Sequence, residues 1–252
     1  MCIRDRLQLN RPKQLNALSH QLLTELVLAA QWLNEQKHIH VVIISGAGRT
    51  FSAGADLNDF QEVPAKTESW IERRDKAQSG MKMTEAIGNI QAITIAQVHG
   101  FAVGGALLIM MACDFRIVAE NTFFSIPEID LGIPLGWGGI PKLVSEIGAL
   151  KTKELVMTCR RFDAKEAKAL GVINSIQKAE NLERHCLELA KSLANKPSVP
   201  LRMTKEQVNA VTKNMGAGYV ATAEVDMLQS VMKDPEAKAA AEAYLAAALK
   251  KK

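Results

Sequence analysis

The stretch HGFAVGGALLIMMACD, from His99 to Asp114, has the residue types of a backbone turn that binds an anion. The hydrophobic run Ile93–Val98 precedes it and predicts a strand, and two glycines, Gly104 and Gly105, then open an apolar run that predicts a helix. The first N–H groups of a helix have no partner within it, so they can hold an anion or a developing oxyanion. Glycine lets a ligand come close to the backbone. A tight turn packed in the core would give the same local pattern, so other segments are needed to distinguish the two.

A second glycine-rich turn, GAGRTFSAGADL (Gly46–Leu57), follows the apolar, β-branched run Ile39–Ser45, which is typical of a strand buried on both faces. A dinucleotide-binding loop does not fit, because its third glycine would fall at Phe51 and no helix begins there. Each of the two turns can direct one N–H group at a shared point, and Glu128, on a later loop rich in proline and glycine, can add a carboxylate. Two donors and one general base suit enolate chemistry on a thioester, since the donors hold the carbonyl oxygen as it becomes negative.

Glu128 has a competing interpretation as a structural carboxylate that caps its loop, because the assignment of a base depends finally on geometry. Asp130 is a second acid nearby, but an alternating backbone would turn it to the other side.

Composition argues against several functional classes. Of the 252 residues, 48% are hydrophobic, and the net charge of +4 is too small and too evenly spread to indicate nucleic-acid binding. No run reaches the roughly 18 to 20 apolar residues that a membrane helix needs. The four cysteines form no CxxC pair and the five histidines have no metal-ligand spacing, which predicts a cytosolic protein with reduced thiols and no metal. The opening MCIRDR resembles neither a signal peptide nor a strand, so we expect a truncated or misjoined first strand.

Strands and helices alternate along most of the chain, and helices end it. Ser19 is a good N-cap for a helix that continues to about Glu35. The pattern predicts an α/β core over residues 1–195 and a C-terminal helical region over residues 196–252. The alanine-rich last helix, Pro235–Leu249, suits close packing within the chain or against another subunit.

Six segments, all in the same order, closely resemble the crotonase (enoyl-CoA hydratase/isomerase) superfamily over the chain from about Leu7 to Thr212. They are LNRPKQLNALS (Leu9–Ser19), FSAGADL (Phe51–Leu57), VHGFAVGGA (Val98–Ala106), ACDFRIVAE (Ala112–Glu120), PEIDLGIPLGWGG (Pro127–Gly139) and DAKEAKALGVI (Asp163–Ile173). Six collinear segments are far more specific than any one of them. The resemblance implies a spiral of ββα and βββα turns, with C-terminal helices that assemble homotrimers, often paired into hexamers.

The resemblance also implies a set of site residues. The two oxyanion-hole N–H groups of the family match Ala55 and Gly105. The positions that meet coenzyme A match a group of residues on the two glycine turns, namely Ser52, Ala53, Ala55, Asp56, Leu57, Gly104 and Gly105. In this family the coenzyme A thioester is the substrate, so no separate cofactor is expected.

Leu108 bears on the type of reaction. Hydratases of the family place two glutamates around one water; the second matches Glu128, but the first matches Leu108, which cannot hold water. The pattern is more similar to that of the Δ3,Δ2-enoyl-CoA isomerases, in which one carboxylate takes a proton from C2 and returns it to C4. Dienoyl-CoA isomerases would have acids at Leu108 and at Gly136, and both are absent.

Isomerisation of a 3-enoyl-CoA is therefore the first hypothesis, and hydration of a trans-2-enoyl-CoA is the alternative. Decarboxylases and C–C lyases use the same oxyanion hole and stay open. A catalytically silent subunit that binds only coenzyme A or partners is a further hypothesis, which the leucine at position 108 supports and the intact Glu128 opposes.

Overall fold

A computed structural model describes residues 4–59, 69–215 and 217–249 and contains two sheets. The larger sheet is parallel, with the strand order β1-β2-β3-β5-β8, and the smaller has the order β4-β6-β7. The strands are β1 (Arg4–Leu9), β2 (Val41–Gly46), β3 (Ile93–Val98), β4 (Phe101–Val103), β5 (Phe115–Ala119), β6 (Phe123–Ser125), β7 (Phe162–Asp163) and β8 (Ser175–Gln177). The predicted α/β class, with helices at the C-terminal end, is confirmed.

The chain passes repeatedly from the larger sheet to the smaller one. A short turn through Gly100 leads from β3 to β4, and a similar turn leads from β5 to β6. Gly100 has φ +67°, and a Cβ there would lie 2.3 Å from the Arg49 carbonyl oxygen, so only glycine fits this corner. These paired strands form the successive turns of the predicted spiral.

The helices cover both faces of the larger sheet. They are α1 (His20–Glu35), α2 (Trp70–Ala77), α3 (Ser79–Gly88), α4 (Gly105–Ala112), α5 (Gly139–Thr158), α6 (Ala164–Ala169), α7 (Leu182–Ala194), α8 (Ser198–Asn214), α9 (Ala217–Val231) and α10 (Pro235–Leu249). In β2, Val42 and Ile44 join the main core with α1, α3 and α4, whereas Val41 and Ile43 pack with α7 on the other face. Burial on both faces explains why β2 is continuously apolar.

The predicted N-cap of α1 is confirmed. The Ser19 hydroxyl accepts a hydrogen bond from the Leu22 N–H at 3.3 Å and begins α1. Cys113, Cys159 and Cys186 are free thiols. None of the helices in the described ranges is long and apolar enough to span a bilayer. The segment Phe60–Lys66, whose sequence predicts a loop, lies outside the described residues.

The start of the chain differs from the expectation. β1 begins at Arg4 and pairs in parallel with β2 from Arg4 to Leu9, so the end of MCIRDR is part of a strand. The polar sequence fits this place, because β1 is an edge strand and edge strands tolerate exposed charges. The Arg6 guanidinium, for example, bonds the Glu183 carboxylate of α7 at 2.6 Å.

The C-terminal helices pack against the same chain. A Cβ on Gly132 would lie 2.2 Å from the Ala237 carbonyl oxygen, so α10 sits directly on the loop that carries Glu128. In α8, the Lys205 ammonium bonds the Asp114 carboxylate, which follows α4, at 2.7 Å. The division at residues 195 and 196 stays a prediction, but these contacts join the two predicted regions closely.

Candidate active site

The two glycine-rich turns are in direct contact. Gly54 has φ +85°, and a Cβ there would lie 2.4 Å from the Val103 carbonyl oxygen and 3.7 Å from the Gly105 nitrogen. An isolated parallel bridge between Ser52 and Ala102 joins the segments that lead into the turns. The first turn therefore lies against the N-terminal end of α4. This contact is needed if one N–H group from each turn is to point at the same ligand atom.

The N–H groups of Ala55 and Gly105 have no backbone acceptor within the described part of the chain. The neighbouring amides are occupied, since the Asp56 N–H donates to the Leu18 carbonyl oxygen at 3.1 Å and the Gly104 N–H donates to the Ser125 carbonyl oxygen at 2.9 Å. Gly105 is the first residue of α4, where the helix leaves its N–H groups unpaired. Both groups are thus available to an anionic ligand atom.

Buried polar side chains hold the first turn in place. The Asn16 amide donates to the carbonyl oxygens of Ala47, Thr50 and Phe51 at 2.8, 3.0 and 3.1 Å. Asn16 is fully buried and has φ +53°, a left-handed conformation that asparagine tolerates better than most residues. It therefore joins the chain before α1 to the loop after β2.

Asp56 fixes the far end of the same turn. Its carboxylate accepts bonds from the Arg11 guanidinium at 2.8 Å and from the Asn58 N–H at 3.2 Å. Burial works against ionisation of Asp56, but the hydrogen bonds and the charge of Arg11 outweigh it and hold the pKa below its usual value. Asp56 therefore stays ionised and acts in part as a structural carboxylate.

Glu128 places its carboxyl group inside the protein, next to Gly104. A Cβ on Gly104 would lie 2.6 Å from Glu128 Oε1, and Glu128 Oε2 is buried without a hydrogen-bond partner among the described residues. Burial raises the pKa of Glu128 to about 7. A carboxyl group with this pKa can both take and return a proton near neutral pH, as a general acid–base group must. Asp130, by contrast, is exposed.

Leu108 and Trp137 make the wall around this carboxyl apolar. Leu108 is buried and lies 3.1 Å from the Cβ position of Gly139. The Trp137 ring fits against bare glycine backbone, since a Cβ on Gly105 would lie 2.1 Å from it. Trp137 has φ +59°, which is rare for a bulky residue and is held here by a bond from the Thr84 hydroxyl to its carbonyl oxygen.

Both glycine turns, Glu128, Leu108 and Trp137 line one cavity of about 340 Å³. Of the predicted site residues, the cavity is lined by Ala53, Ala55, Asp56, Leu57, Gly104, Gly105 and Glu128. Ser52 is completely buried and does not line it; its hydroxyl donates to the Asn16 carbonyl oxygen at 2.7 Å. The structure thus brings the predicted base and both predicted donors to one space, and it places Ser52 behind the turn.

The sequence reasoning missed the wall that α9 and α10 contribute. This wall includes Glu224, Val225, Leu228, Tyr244 and Leu245. Burial raises the pKa of the Tyr244 phenol, and the charges of Asp130 and Glu128 raise it further. The signal for Glu224 was weak: it is an acid directly before the apolar Val225 in a stretch with few charges.

Comparison with known proteins agrees with this geometry. Residues 5–249 match the family model described as enoyl-CoA hydratase/isomerase. Among curated proteins, the chain is 34% identical to a peroxisomal Delta(3,5)-Delta(2,4)-dienoyl-CoA isomerase of Arabidopsis thaliana, covering 88% of this chain and 84% of that protein. It is also 34% identical to a crotonyl-CoA hydratase of Syntrophomonas wolfei, covering 81% of this chain and 76% of that protein.

Solved structures include the same fold. The crystal structure of an enoyl-CoA hydratase from Bacillus halodurans superposes with a TM-score of 0.85 at 25% identity, covering 94% of this chain and 95% of that one. The family match over nearly the whole chain, the sequence relatives and the cavity between the two glycine turns lead to the same conclusion. The chain belongs to the enoyl-CoA hydratase/isomerase family of enzymes.

Proposed function

We propose that this protein converts a 3-enoyl-CoA into a trans-2-enoyl-CoA, with Glu128 as the group that carries the proton. One observation carries the proposal: the carboxyl of Glu128 is buried in a cavity that the apolar Leu108 also lines. By the resemblance to the family, Leu108 matches the position at which hydratases have a second, water-holding glutamate. An apolar wall at that position favours a reaction that consumes no water.

In this reaction Glu128 removes a proton from C2, and the electron pair of that C–H bond moves into the thioester carbonyl. The N–H groups of Ala55 and Gly105, which have no backbone acceptor among the described residues, donate to the resulting enolate oxygen. Glu128 then returns the proton to C4 while the double bond moves to C2–C3. Atoms and electrons balance without a co-reactant.

The coenzyme A part of the substrate would extend along the backbone from Ala53 to Leu57, which lines the cavity. No further cofactor enters the reaction. We also expect a homotrimer or homohexamer in the cytosol; light scattering of the purified protein tests the assembly.

Hydration of a trans-2-enoyl-CoA is the second candidate function. The names of several relatives favour it, including a short-chain-enoyl-CoA hydratase of Clostridium acetobutylicum that is 33% identical over 80% of this chain. Under this alternative a water molecule would have to be held without a carboxylate at position 108.

The deciding experiment offers purified protein a 3-enoyl-CoA and a trans-2-enoyl-CoA separately and identifies the products. Conversion of the 3-enoyl substrate, reduced about 10²–10⁴-fold in Glu128→Gln, supports the proposal. The matched control is Asp130→Asn, which removes an exposed carboxylate two residues away. Consumption of the 2-enoyl substrate alone assigns a hydratase, and binding without turnover of either assigns a silent subunit.

A further inference from the structure

Glu224 is a second carboxyl group in the wall of the cavity. It comes from α9 and shares this wall with Tyr244 and with the apolar Val225, Leu228 and Leu245. Only 8% of Glu224 is exposed. Acidic side chains are rarely buried to this extent without a partner, so the two oxygens of this group need an explanation.

The two carboxylate oxygens of Glu224 differ. Oε2 accepts a hydrogen bond from the Gly138 N–H at 2.8 Å, at the residue that precedes α5. Oε1 is buried and bonds to none of the residues that the structure describes. The bond through Oε2 fixes the side chain in the wall, so Oε1 cannot turn away to solvent.

A bound acyl group changes the surroundings of Oε1. Oε1 is already out of contact with solvent in the protein without a ligand, so an acyl chain that fills the cavity beside it becomes the nearest source of a hydrogen-bond partner. A purely aliphatic chain would leave a buried oxygen unpaired, which is unfavourable. A hydroxyl group avoids this for either protonation state of Glu224, because a hydroxyl both donates and accepts.

We propose that Glu224 determines specificity by selecting acyl-CoA thioesters whose acyl chain has a hydroxyl group beyond C3, within reach of Oε1. The inference rests on the proposed function only in taking an acyl-CoA thioester as the ligand. Sites that hydrogen-bond a substrate hydroxyl discriminate strongly against the analogue that lacks it, because the polar group of the site is then left unpaired.

A purely structural role makes a different prediction. If Glu224 only caps α5, its replacement lowers the stability of the protein whichever ligand is bound. The relative affinities for the different ligands then stay the same. Glu224→Gln keeps an oxygen for the Gly138 N–H and offers an N–H₂ group to a ligand hydroxyl. Glu224→Leu keeps the approximate size and removes both. Asp226→Asn, on the exposed side of the same helix, is the matched control.

The test measures dissociation constants by calorimetry for saturated acyl-CoA thioesters, which cannot react, in pairs with and without one hydroxyl at successive carbons beyond C3. The wild type should bind at least one hydroxylated ligand about tenfold or more tightly than its partner. Glu224→Leu should lose this difference, whereas Glu224→Gln and Asp226→Asn should retain it.

The inference is overturned if the wild type prefers no hydroxyl position, or if the preference persists in Glu224→Leu. If Glu224→Leu does not fold, the wild-type series and Glu224→Gln still decide. If the Glu224 variants lose turnover of every substrate but bind the ligands as wild type does, this would also contradict the inference and assign Glu224 to proton transfer. If the protein prefers hydroxylated ligands but turns over no enoyl-CoA, the proposed function is wrong and this inference still holds.

Discussion

Gly104 and the carboxylate of Glu128 are packed so closely that no side chain fits between them. A Cβ at position 104 would lie 2.6 Å from Glu128 Oε1, and the φ of Gly104 is +52°. The residue that ends the second glycine turn therefore also sets the position of the proposed base, one residue before the proposed donor Gly105.

Gly104→Ala should displace the Glu128 carboxyl and lower kcat/KM about 10²-fold, since a small misplacement of a reacting group is costly. Steady-state kinetics with a 3-enoyl-CoA measure this. Gly171→Ala is the control for backbone strain: Gly171 has φ +84° but open space around its Cβ position and lies outside the cavity. Equal activity losses in the two variants would refute the steric explanation.

The rate should depend on the ionisation of Glu128. A general base acts as its carboxylate, and burial raises the pKa of Glu128 to about 7. We therefore expect kcat/KM to rise with pH and to reach half its maximum near pH 7. Glu224 lines the same cavity, and burial raises its pKa as well. Burial also raises the pKa of Tyr244 above its ordinary value of 10, which is outside this pH range. If the rise of kcat/KM with pH is due to Glu128, it should persist in Glu224→Gln. A kcat/KM that stays constant from pH 5.5 to 8.5 would show that another group limits the rate.

Glu128 should also make the folded state less stable at alkaline pH. Its pKa is about 7 in the folded protein, above its ordinary value of 4.5, so the folded state binds more protons between these values. The free energy of unfolding therefore falls as pH rises through this window. Glu128→Gln lacks the buried charge and should be about 2–3 kcal/mol more stable than wild type at pH 8.5.

Urea unfolding at pH 5 and pH 8.5 checks this, because the advantage of Glu128→Gln should shrink toward pH 5. Asp130→Asn, which removes an exposed carboxylate, should show no comparable gain at alkaline pH. A Glu128→Gln protein that is no more stable at pH 8.5 than wild type would mean that the carboxyl is well solvated.

Leu108→Glu should shift the reaction toward hydration. A carboxylate at this position of the cavity wall could hold a water together with Glu128, so the ratio of 3-hydroxyacyl product to isomerised product should rise. Stability should fall by about 3 kcal/mol or more, because a charged group replaces a packed leucine. Leu108→Met conserves size and polarity and should change neither quantity much. An unchanged product ratio in Leu108→Glu would show that position 108 does not control the reaction type.

The parts of the site that the sequence predicted are those with local signals. Glycines after β-branched runs mark both turns, and Glu128 stands in a proline–glycine loop, so the two turns and the carboxylate could be expected to meet. The resemblance to the family was needed to match the donors to Ala55 and Gly105. The Ser19 cap and the buried strand after it were predictable for the same reason, since the signal and the structure involve the same few residues.

The rest depends on contacts between distant segments. Nothing near Glu224 in sequence indicates that it reaches the Gly138 N–H, because that contact requires the packing of α9 on α5. For Ser52, the local motif predicted a contact with the ligand that the packing of distant segments prevents. The two glycine turns pack against each other and bury Ser52. The strand at Arg4–Arg6 was missed because an edge strand needs few apolar residues.

The packing of α10 on Gly132, and of α9 on Gly138, has a consequence for biosynthesis. The parallel sheet comes from residues before Lys178, but the last wall of the cavity includes Leu245. Since domains fold as their residues leave the ribosome, a nascent chain can assemble its sheet and both glycine turns while the cleft beside Glu128 is still open on one side. The cavity has all of its walls only after the residues of α10 have left the ribosome.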